Sequence, residues 1–263
     1  MFKTPSLLIA LVAFIFLCPS CVSTKPSTYF NDLSDSLTLD SKMESIEYNL
    51  QSGDILSILI TSPSEEASRP FNTTNNYVIN TSTASGNNGL STGYLVNPDG
   101  NIQIPLLGNI KAAGITKKQL RDNISKQLLE KKLLIEPIVT IRHINFEVTI
   151  IGEVGKATVV TVPGEKITLL KALGLAGDIT IFGKKDNVLL IREREGKKTA
   201  VRLNLNASSF LSSPYYFMQP GDVVYVENNK NKVISNSRAL QQVPILLSTI
   251  SVIAVVALQL IKK

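Results

Sequence analysis

The chain has 263 residues, a formal net charge of +6 and a hydrophobic fraction of 44%. It contains one histidine, two cysteines and no tryptophan, so acid–base catalysis and thiolate metal binding have few residues to use. Both cysteines, Cys18 and Cys21, lie at the N-terminus, which excludes a disulfide framework in the remainder of the chain.

The first predicted element is a secretory signal. An apolar run over residues 7–17 is roughly 11 residues long, shorter than the ~20 residues that cross a bilayer. Ser20 places a small side chain directly before Cys21, which is typical of bacterial lipoprotein signals. We therefore predict a signal peptide over residues 1–20 and acylation of Cys21, with an ordinary signal peptide or an uncleaved anchor as alternatives. Residues 21–47 are polar and predict a tether.

Two widely separated segments share the pattern Gln-x-Gly-Asp followed by a β-prone apolar run. The first contains Gly53 and Asp54, and the second contains Gly221 and Asp222. Glycine accepts positive φ and an aspartate side chain can bond nearby amides, so each pair predicts a turn. Convergent turn chemistry and two related β-rich modules in tandem both explain the similarity, and the tandem modules are the more useful interpretation.

Residues 61–92 are rich in Ser, Thr, Asn and Gly and contain little that could pack in a core. Such a stretch predicts a long irregular segment. Long irregular segments inside a small domain are usually mobile or functional loops.

The densest turn signals come next. They separate two β-prone runs, which predicts a hairpin between residues 94–96 and residues 102–104. The turn residues are Pro98, Asp99 and Gly100, with Pro105 and Gly108 after the second run.

A helix is predicted from about Lys117 to about Leu133, because apolar residues recur there at helical spacing. Thr116 and Gln119 have the spacing of a capping box at its start. In the extended run that follows, the apolar residues change parity near His143, which predicts a bulge or a domain boundary at residues 143–145.

The region beyond this point is β-rich with one short helix. The helix is predicted to start near Thr168 and to stop at Gly177. Strands are predicted over residues 187–195 and 197–205, with Glu195 and Gly196 as their turn.

Catalytic chemistry is not predicted. His143 lies in a strand-like run, where a structural or surface role is more common than general-base catalysis. The segment from Gly152 to Lys156 has the wrong spacing for a phosphate loop and leads into a strand-like run. We predict no enzyme activity, no catalytic or metal site and no cofactor. Nucleic acid is not a predicted partner, because the basic residues form no single stripe and an exported protein does not meet the genome.

A second apolar run covers residues 243–261, long enough at about 28 Å to cross one bilayer as a helix. Gln241, Ser248 and Gln259 fall on one side of it at helical spacing. This weak polar stripe predicts a surface that faces a lumen or neighbouring helices. A plain single-span anchor is the alternative.

Several short motifs occur in a fixed order between residues 48 and 226, and together they identify a resemblance. They are Leu50–Ile55, Val96–Gly108, Gly114–Thr116, Glu136–Val139, Val148–Val154, Ala176–Asp178, Leu190–Arg192 and Pro220–Tyr225. In this order the chain resembles the bacterial polysaccharide biosynthesis/export family, which comprises outer-membrane proteins of capsule and exopolysaccharide secretion. The resemblance covers about two-thirds of the chain.

The resemblance implies an α+β fold in which a β-rich export domain is followed by one β-grasp, soluble-ligand-binding domain and a C-terminal transmembrane helix. The implied boundaries are an export domain at 48–143, a β-grasp domain at 144–228, a linker at 229–242 and a transmembrane helix at 243–261. Some family members carry a second β-grasp domain, and only one fits here.

The implied function is translocation of capsular or extracellular polysaccharide by a lipid-anchored outer-membrane homo-oligomer, typically an octamer, with its main body in the periplasm. An inner-membrane polysaccharide co-polymerase, often a tyrosine autokinase, is the implied partner. A periplasmic glycan-binding or signalling module anchored to the envelope is the alternative. An inner-membrane component of the same pathway is a more remote one.

Overall fold

The computed structural model describes residues 28–33, 36–38, 47–72, 77–82, 88–194 and 196–229, together with several short stretches between 244 and 256. Within these residues the chain forms two large β-sheets, one two-stranded sheet and short helices. The predicted α+β class is therefore confirmed.

The first large sheet has four antiparallel strands in the order β2-β3-β1-β6. Alternate residues of β1, namely Leu56, Ile58 and Ile60, are buried, as expected for a strand with one face against a core. The strands are β1 (Ile55–Thr61), β2 (Tyr77–Ser82), β3 (Asn88–Leu95) and β6 (Ile138–His143), and a separate hairpin joins β4 (Asn101–Ile104) to β5 (Gly108–Lys111).

Two helices accompany this sheet, α1 (Glu65–Ser68) and α2 (Lys117–Glu130). The predicted capping box of α2 is confirmed, since the Thr116 and Gln119 side chains each accept a hydrogen bond from the other residue's N–H. Helix α2 ends three residues earlier than predicted, because Lys132 adopts a positive φ of 53° that stops the helix. Its buried residues are Leu120, Ile124 and Leu128.

The second large sheet has five strands in the order β10-β9-β11-β7-β8. Strands β11 and β7 are parallel, and the other neighbouring pairs are antiparallel. The predicted short helix and the predicted pair of strands around residue 196 are confirmed. The elements are β7 (Glu147–Gly152), β8 (Thr158–Thr161), α3 (Leu169–Leu175), β9 (Gly183–Arg194), β10 (Lys197–Leu203) and β11 (Val223–Asn228).

Each sheet has its own hydrophobic core. One cluster runs from Leu50 to Ile141 and includes the buried face of α2. The other runs from Phe146 to Val226 and includes Leu169, Ala172 and Leu173 of α3. The parity change near His143 is the point at which the chain leaves the first sheet and enters the second.

The prediction of a long irregular segment at residues 61–92 is wrong. The range contains α1, a 3-10 turn at Arg69–Phe71 and the strands of the β2–β3 hairpin. Phe71 is buried, and the Asn72 side chain bonds both the N–H and the C=O of Ile60, at 2.9 and 2.7 Å. A polar sequence can therefore hold regular structure here, because β2 and β3 pair through their backbones and the Asn72 side chain bonds the backbone near the end of β1.

The predicted hairpin between residues 94–96 and 102–104 is also wrong, although its turn is present. The Gly100 N–H donates to the Asn97 carbonyl at 2.8 Å. Strand β3 nevertheless pairs with β1 and β2, whereas β4 pairs with β5. The turn that closes β4 onto β5 uses Leu106 at a φ of 64°.

The predicted tether is not free along its length. The backbone N–H groups of Phe30 and Asn31 donate to the carbonyls of Leu205 and Asn206 at 3.3 and 2.8 Å. The Asp32 carboxylate accepts from Ser208 N–H at 2.6 Å. Residues 28–33 are therefore docked on the second half of the chain, and we call them the strap.

Several predictions fall outside the described residues. They are the signal peptide at 1–20, the acylation of Cys21, the linker from residue 230 onward and most of the helix predicted at 243–261. Within the part of the chain that the structure describes, no helix combines the length and apolar character needed to cross a membrane.

Candidate functional site at the junction of the two sheets

Two turns with the same geometry lie where the sheets meet. In the first, the Asp54 carboxylate accepts a hydrogen bond from the Gln51 N–H at 2.9 Å, and in the second Asp222 accepts from Gln219 N–H at 2.7 Å. Gly53 and Gly221 adopt φ values of 94° and 79°, at which the backbone of a residue with a side chain would be strained. The chain then enters β1 and β11 respectively. We call these the Gly-Asp turns.

A helix start lies beside each turn. Asn49 forms an isolated β-bridge with Thr116, the N-cap of α2. Phe217 forms the corresponding bridge with Thr168, the N-cap of α3. The two halves of the chain therefore use one local arrangement, a capped helix start bridged to the segment that leads into a Gly-Asp turn.

Asp222 is fully buried and pairs with Arg192 of the neighbouring strand β9. The Arg192 Nε and Nη2 atoms donate to Asp222 Oδ1 and Oδ2 at 2.8 and 2.7 Å. This two-point geometry is the strongest form of arginine–carboxylate pairing. It fixes the second turn against the five-stranded sheet.

Asp54 has a different partner, the single histidine of the chain. His143 Nε2 lies 3.3 Å from Asp54 Oδ1, and the His143 side chain is only 2% exposed. The Tyr48 hydroxyl lies 3.3 Å from His143 Nδ1. Among the described residues His143 Nε2 makes no well-aligned hydrogen bond, and its contact with Asp54 is an ion pair only when the ring is protonated. Burial, and then the Asp54 charge, hold the pKa of Tyr48 above its ordinary value, so the phenol stays neutral.

Contacts across the junction join the first sheet to the second. The rings of Tyr48 and Phe146 meet edge to face at a centroid distance of 6.2 Å. Gln51 Nε2 donates to the Glu193 carbonyl at 3.2 Å, beside the first Gly-Asp turn. Lys117, at the start of α2, pairs with Glu165 at 3.1 Å.

Arg194 lies between the two Gly-Asp turns. It donates to Gln219 Oε1 at 2.8 Å and to the Pro220 carbonyl at 3.3 Å, and it lies 5.9 Å from the centre of the Tyr48 ring. Burial lowers the pKa of Arg194, while the carboxylates of Asp222 and Asp54 act in the opposite direction. Arg194 therefore links the second Gly-Asp turn to Tyr48, the aromatic residue beside the first.

Grooves open on the surface beside these contacts. One has a volume of about 490 Å³ and lies between the two Gly-Asp turns. Another, of about 340 Å³, follows β6 and the first turn of α2. Among the described residues, no three His, Cys, Asp or Glu side chains converge as a metal site would require.

The predicted turn residues lie in two places, one near the first Gly-Asp turn and one in the β4–β5 turn. Pro98 lies near the first Gly-Asp turn, since the Ser52 hydroxyl donates to its carbonyl at 3.4 Å. The Lys111 ammonium donates to the Asp99 carbonyl at 3.0 Å. Gly100 and Gly108 adopt φ values of 79° and 85°, and Gly108 ends the β4–β5 turn that Pro105 begins.

The predicted lumen stripe is described only at Ser248. Its hydroxyl donates to the Ile245 carbonyl at 2.8 Å, and both residues are helical. Gln241 and Gln259 lie outside the described residues. The stripe therefore stays a prediction.

Sequence reasoning did not find the central residues of the junction. Tyr48 and Arg194 were assigned no role, Arg192 entered only as part of the motif Leu190–Arg192, and His143 was considered only as a strand residue at the predicted boundary. The sequence contains one signal for them, since two arginines interrupt the apolar alternation of β9. An arginine near a buried Gly-Asp turn implies an ion pair.

The fold and the junction define a class, an α+β protein of two large sheets in which each half carries one Gly-Asp turn at the junction. Residues 43–143 match the family described as polysaccharide biosynthesis/export protein. This segment is similar to that family, and the resemblance predicted from the chain's motifs is confirmed.

Two relatives agree with this assignment. The chain is 30% identical over 196 residues to the EPS I polysaccharide export outer membrane protein EpsA of Ralstonia nicotianae (strain ATCC BAA-1114 / GMI1000), covering 71% of this chain and 49% of that protein. It is 28% identical over 195 residues to the protein of the same name from Ralstonia solanacearum, with coverages of 71% and 49%. The chain thus spans about half the length of the curated relatives it matches. Both are named as outer membrane proteins, which confirms the predicted outer-membrane location.

Proposed function

We propose that this chain assembles in the outer membrane as a homo-oligomer and forms the conduit through which a capsular or extracellular polysaccharide leaves the cell. The observation that carries the proposal is the family match over residues 43–143, together with two relatives named for polysaccharide export. An eightfold ring is the expected assembly. Transport is passive, and synthesis at the inner membrane drives the polymer outward.

Residues 144–228 act as a β-grasp domain in this proposal. Its support is the strand order, in which the last strand, β11, lies in the middle of the sheet and parallel to the first, β7. Helix α3 packs against β7 with its buried face, Leu169, Ala172 and Leu173. The export domain at 48–143 and the linker at 229–242 complete the proposed organisation.

Two membrane attachments hold the protein in the envelope. Acylation of Cys21 anchors the N-terminus, and a helix at 243–261 crosses the outer membrane with Gln241, Ser248 and Gln259 toward the lumen. Metabolic labelling with an alkynyl fatty acid tests the first attachment, with Cys21→Ser and Cys18→Ser as a matched pair. Labelling lost only in Cys21→Ser supports the anchor, and labelling retained in that variant contradicts it.

Deletion of the gene tests the function. Polymer that accumulates in the periplasm supports an export role, whereas polymer that is never made indicates a role in synthesis. Detergent extraction tests the assembly. A large symmetric ring supports the conduit, and a monomer that binds sugar supports a periplasmic glycan-binding module instead. An inner-membrane co-polymerase is the expected partner, which cross-linking in cells that make the polymer should capture.

A further inference from the structure

A depression beside the start of α2 has the composition of a binding site. It combines the groove of about 340 Å³ with a smaller cavity of about 100 Å³, and the two share Glu47, Lys117 and Glu165. We call it the junction groove. The further lining residues used below are Lys118, Arg121 and Thr140 on one side and Tyr48, Lys166 and Phe217 on the other.

The groove carries an excess of positive charge. Four of its lining side chains are cationic, and Glu47 and Glu165 are its two carboxylates. Lys117 is paired with Glu165, and Arg121 is bonded to the neighbouring Asp122 at 2.8 Å. Within the described part of the chain, Lys118 and Lys166 are exposed and have no ion-pair partner. Two ammonium groups are therefore available to an incoming anion.

Aromatic surface lines the same cavity as Lys166. The Phe217 ring is partly exposed and is held by an edge-to-face contact with Tyr216 at a centroid distance of 5.1 Å. Its position is also fixed by the β-bridge to Thr168. A ring held in this way offers an apolar face that the C–H side of a sugar can cover at little entropic cost. Thr140 adds a hydroxyl on the free edge of β6.

We propose that the junction groove binds a segment of an acidic polysaccharide, with Lys118 and Lys166 contacting uronate carboxylates and Phe217 packing against a sugar face. The inference rests on the proposed function, because it names the chemical class of the polymer that this chain handles. Acidity is the distinguishing feature, since the two unpaired ammonium groups have no comparable role with a neutral glycan.

Titration of the full-length protein in detergent tests the site. Oligogalacturonates serve as the acidic probe and maltooligosaccharides of equal length as the neutral one, with heat of binding as the readout. The double variant Lys118→Glu/Lys166→Glu should weaken oligogalacturonate binding by about tenfold or more. Phe217→Ala should weaken it as well, and circular dichroism checks that this variant is folded. Lys126→Glu is the matched control, because Lys126 lies on α2, is exposed and pairs with Glu130.

Three results would overturn the proposal. Binding of the maltooligosaccharide as tight as that of the oligogalacturonate would show that the groove does not select acidic sugars. A loss of binding in Lys126→Glu equal to that in the double variant would show the same. Binding of poly-glutamate as tight as that of oligogalacturonate would assign the groove to an acidic peptide. A failure of the proposed export function would be seen separately, as polymer release from cells that lack the gene. The titration reports only on the purified protein.

Discussion

Asp54 and Asp222 occupy equivalent positions in two copies of one turn. Each directly precedes a strand and lies beside a basic residue on the neighbouring strand. Asp54 precedes β1 and meets His143 of β6, and Asp222 precedes β11 and meets Arg192 of β9. The second pair is permanently charged, whereas His143 is charged only when protonated. The second turn is therefore the more strongly fixed of the two.

Removal of the two carboxylates should have unequal effects on stability. Asp222→Ala leaves the largely buried Arg192 without a carboxylate partner, and should lower the free energy of unfolding by about 3–5 kcal/mol. Asp54→Ala removes one charge-assisted hydrogen bond to a backbone N–H and should cost about 1–3 kcal/mol. Chemical denaturation followed by circular dichroism measures both. Equal losses would contradict the difference in charge pairing described above.

A close backbone contact makes Gly152 sensitive to substitution. A Cβ atom there would lie 2.1 Å from the Val226 carbonyl oxygen, and the residue has a φ of 97°. Gly152→Ala should therefore lower the free energy of unfolding by about 1–3 kcal/mol. Gly174→Ala is the control, since it lies in α3 with open space around it and should raise stability by about 0.5–1 kcal/mol. The same sign for both variants would contradict the prediction.

Glu227 should make part of the stability depend on acidic pH. Hydrogen bonds from Arg202 and then Lys184 hold the pKa of Glu227 below its ordinary value of 4.5. A carboxyl with a lowered pKa stabilises the fold above its unfolded-state pKa, and this stabilisation is lost as the pH falls through the folded-state pKa.

The measurement is the thermal midpoint between about pH 6 and pH 3 for the native chain and Glu227→Gln. At about pH 6 the native chain should have a higher thermal midpoint than Glu227→Gln. The difference between the two midpoints should shrink below about pH 4.5. Glu130→Gln is the control, because Glu130 forms only an exposed pair with Lys126 at 3.7 Å. A difference that stays constant with pH would rule out Glu227 as its source.

The strap should protect the N-terminal segment from proteolysis. Tyr29 donates a hydrogen bond to the Asp178 carboxylate, and Lys185 lies 4.5 Å from the centre of its ring. Tyr29→Ala removes both contacts and should increase cleavage within residues 22–47 by about tenfold. Tyr29→Phe keeps the ring and should have a smaller effect. Limited proteolysis with mass spectrometry measures the rates, and unchanged cleavage in Tyr29→Ala would show that the strap is not held by this residue.

Local sequence signals predicted the elements whose causes are local. Helix α2 was predictable because its capping box and its apolar spacing lie within a few residues of one another. The Gly-Asp turns were predictable for the same reason, since the bond that closes each turn joins residues three apart.

Features that depend on distant residues could not be predicted in this way. The Tyr48–His143 contact joins residues 95 apart, and the Gln51–Glu193 contact joins residues 142 apart. Strand β2 was missed because its pairing with β3 uses backbone groups, which leave little trace in a polar sequence. The partner of β4 was misassigned because two consecutive turns offered two ways to close a hairpin.

The strap bounds how far the body of the protein can stand from a lipid bilayer. Eight peptide links join Cys21 to Tyr29, so even a fully stretched chain spans no more than about 28 Å between them. At the other end, Asn229 is bonded to Phe182 at 2.6 Å as the chain leaves β11. If Cys21 is acylated and residues 243–261 cross the membrane, as proposed, both routes toward the lipid depart from the five-stranded sheet. The four-stranded sheet would then be the part free to meet partners deeper in the envelope.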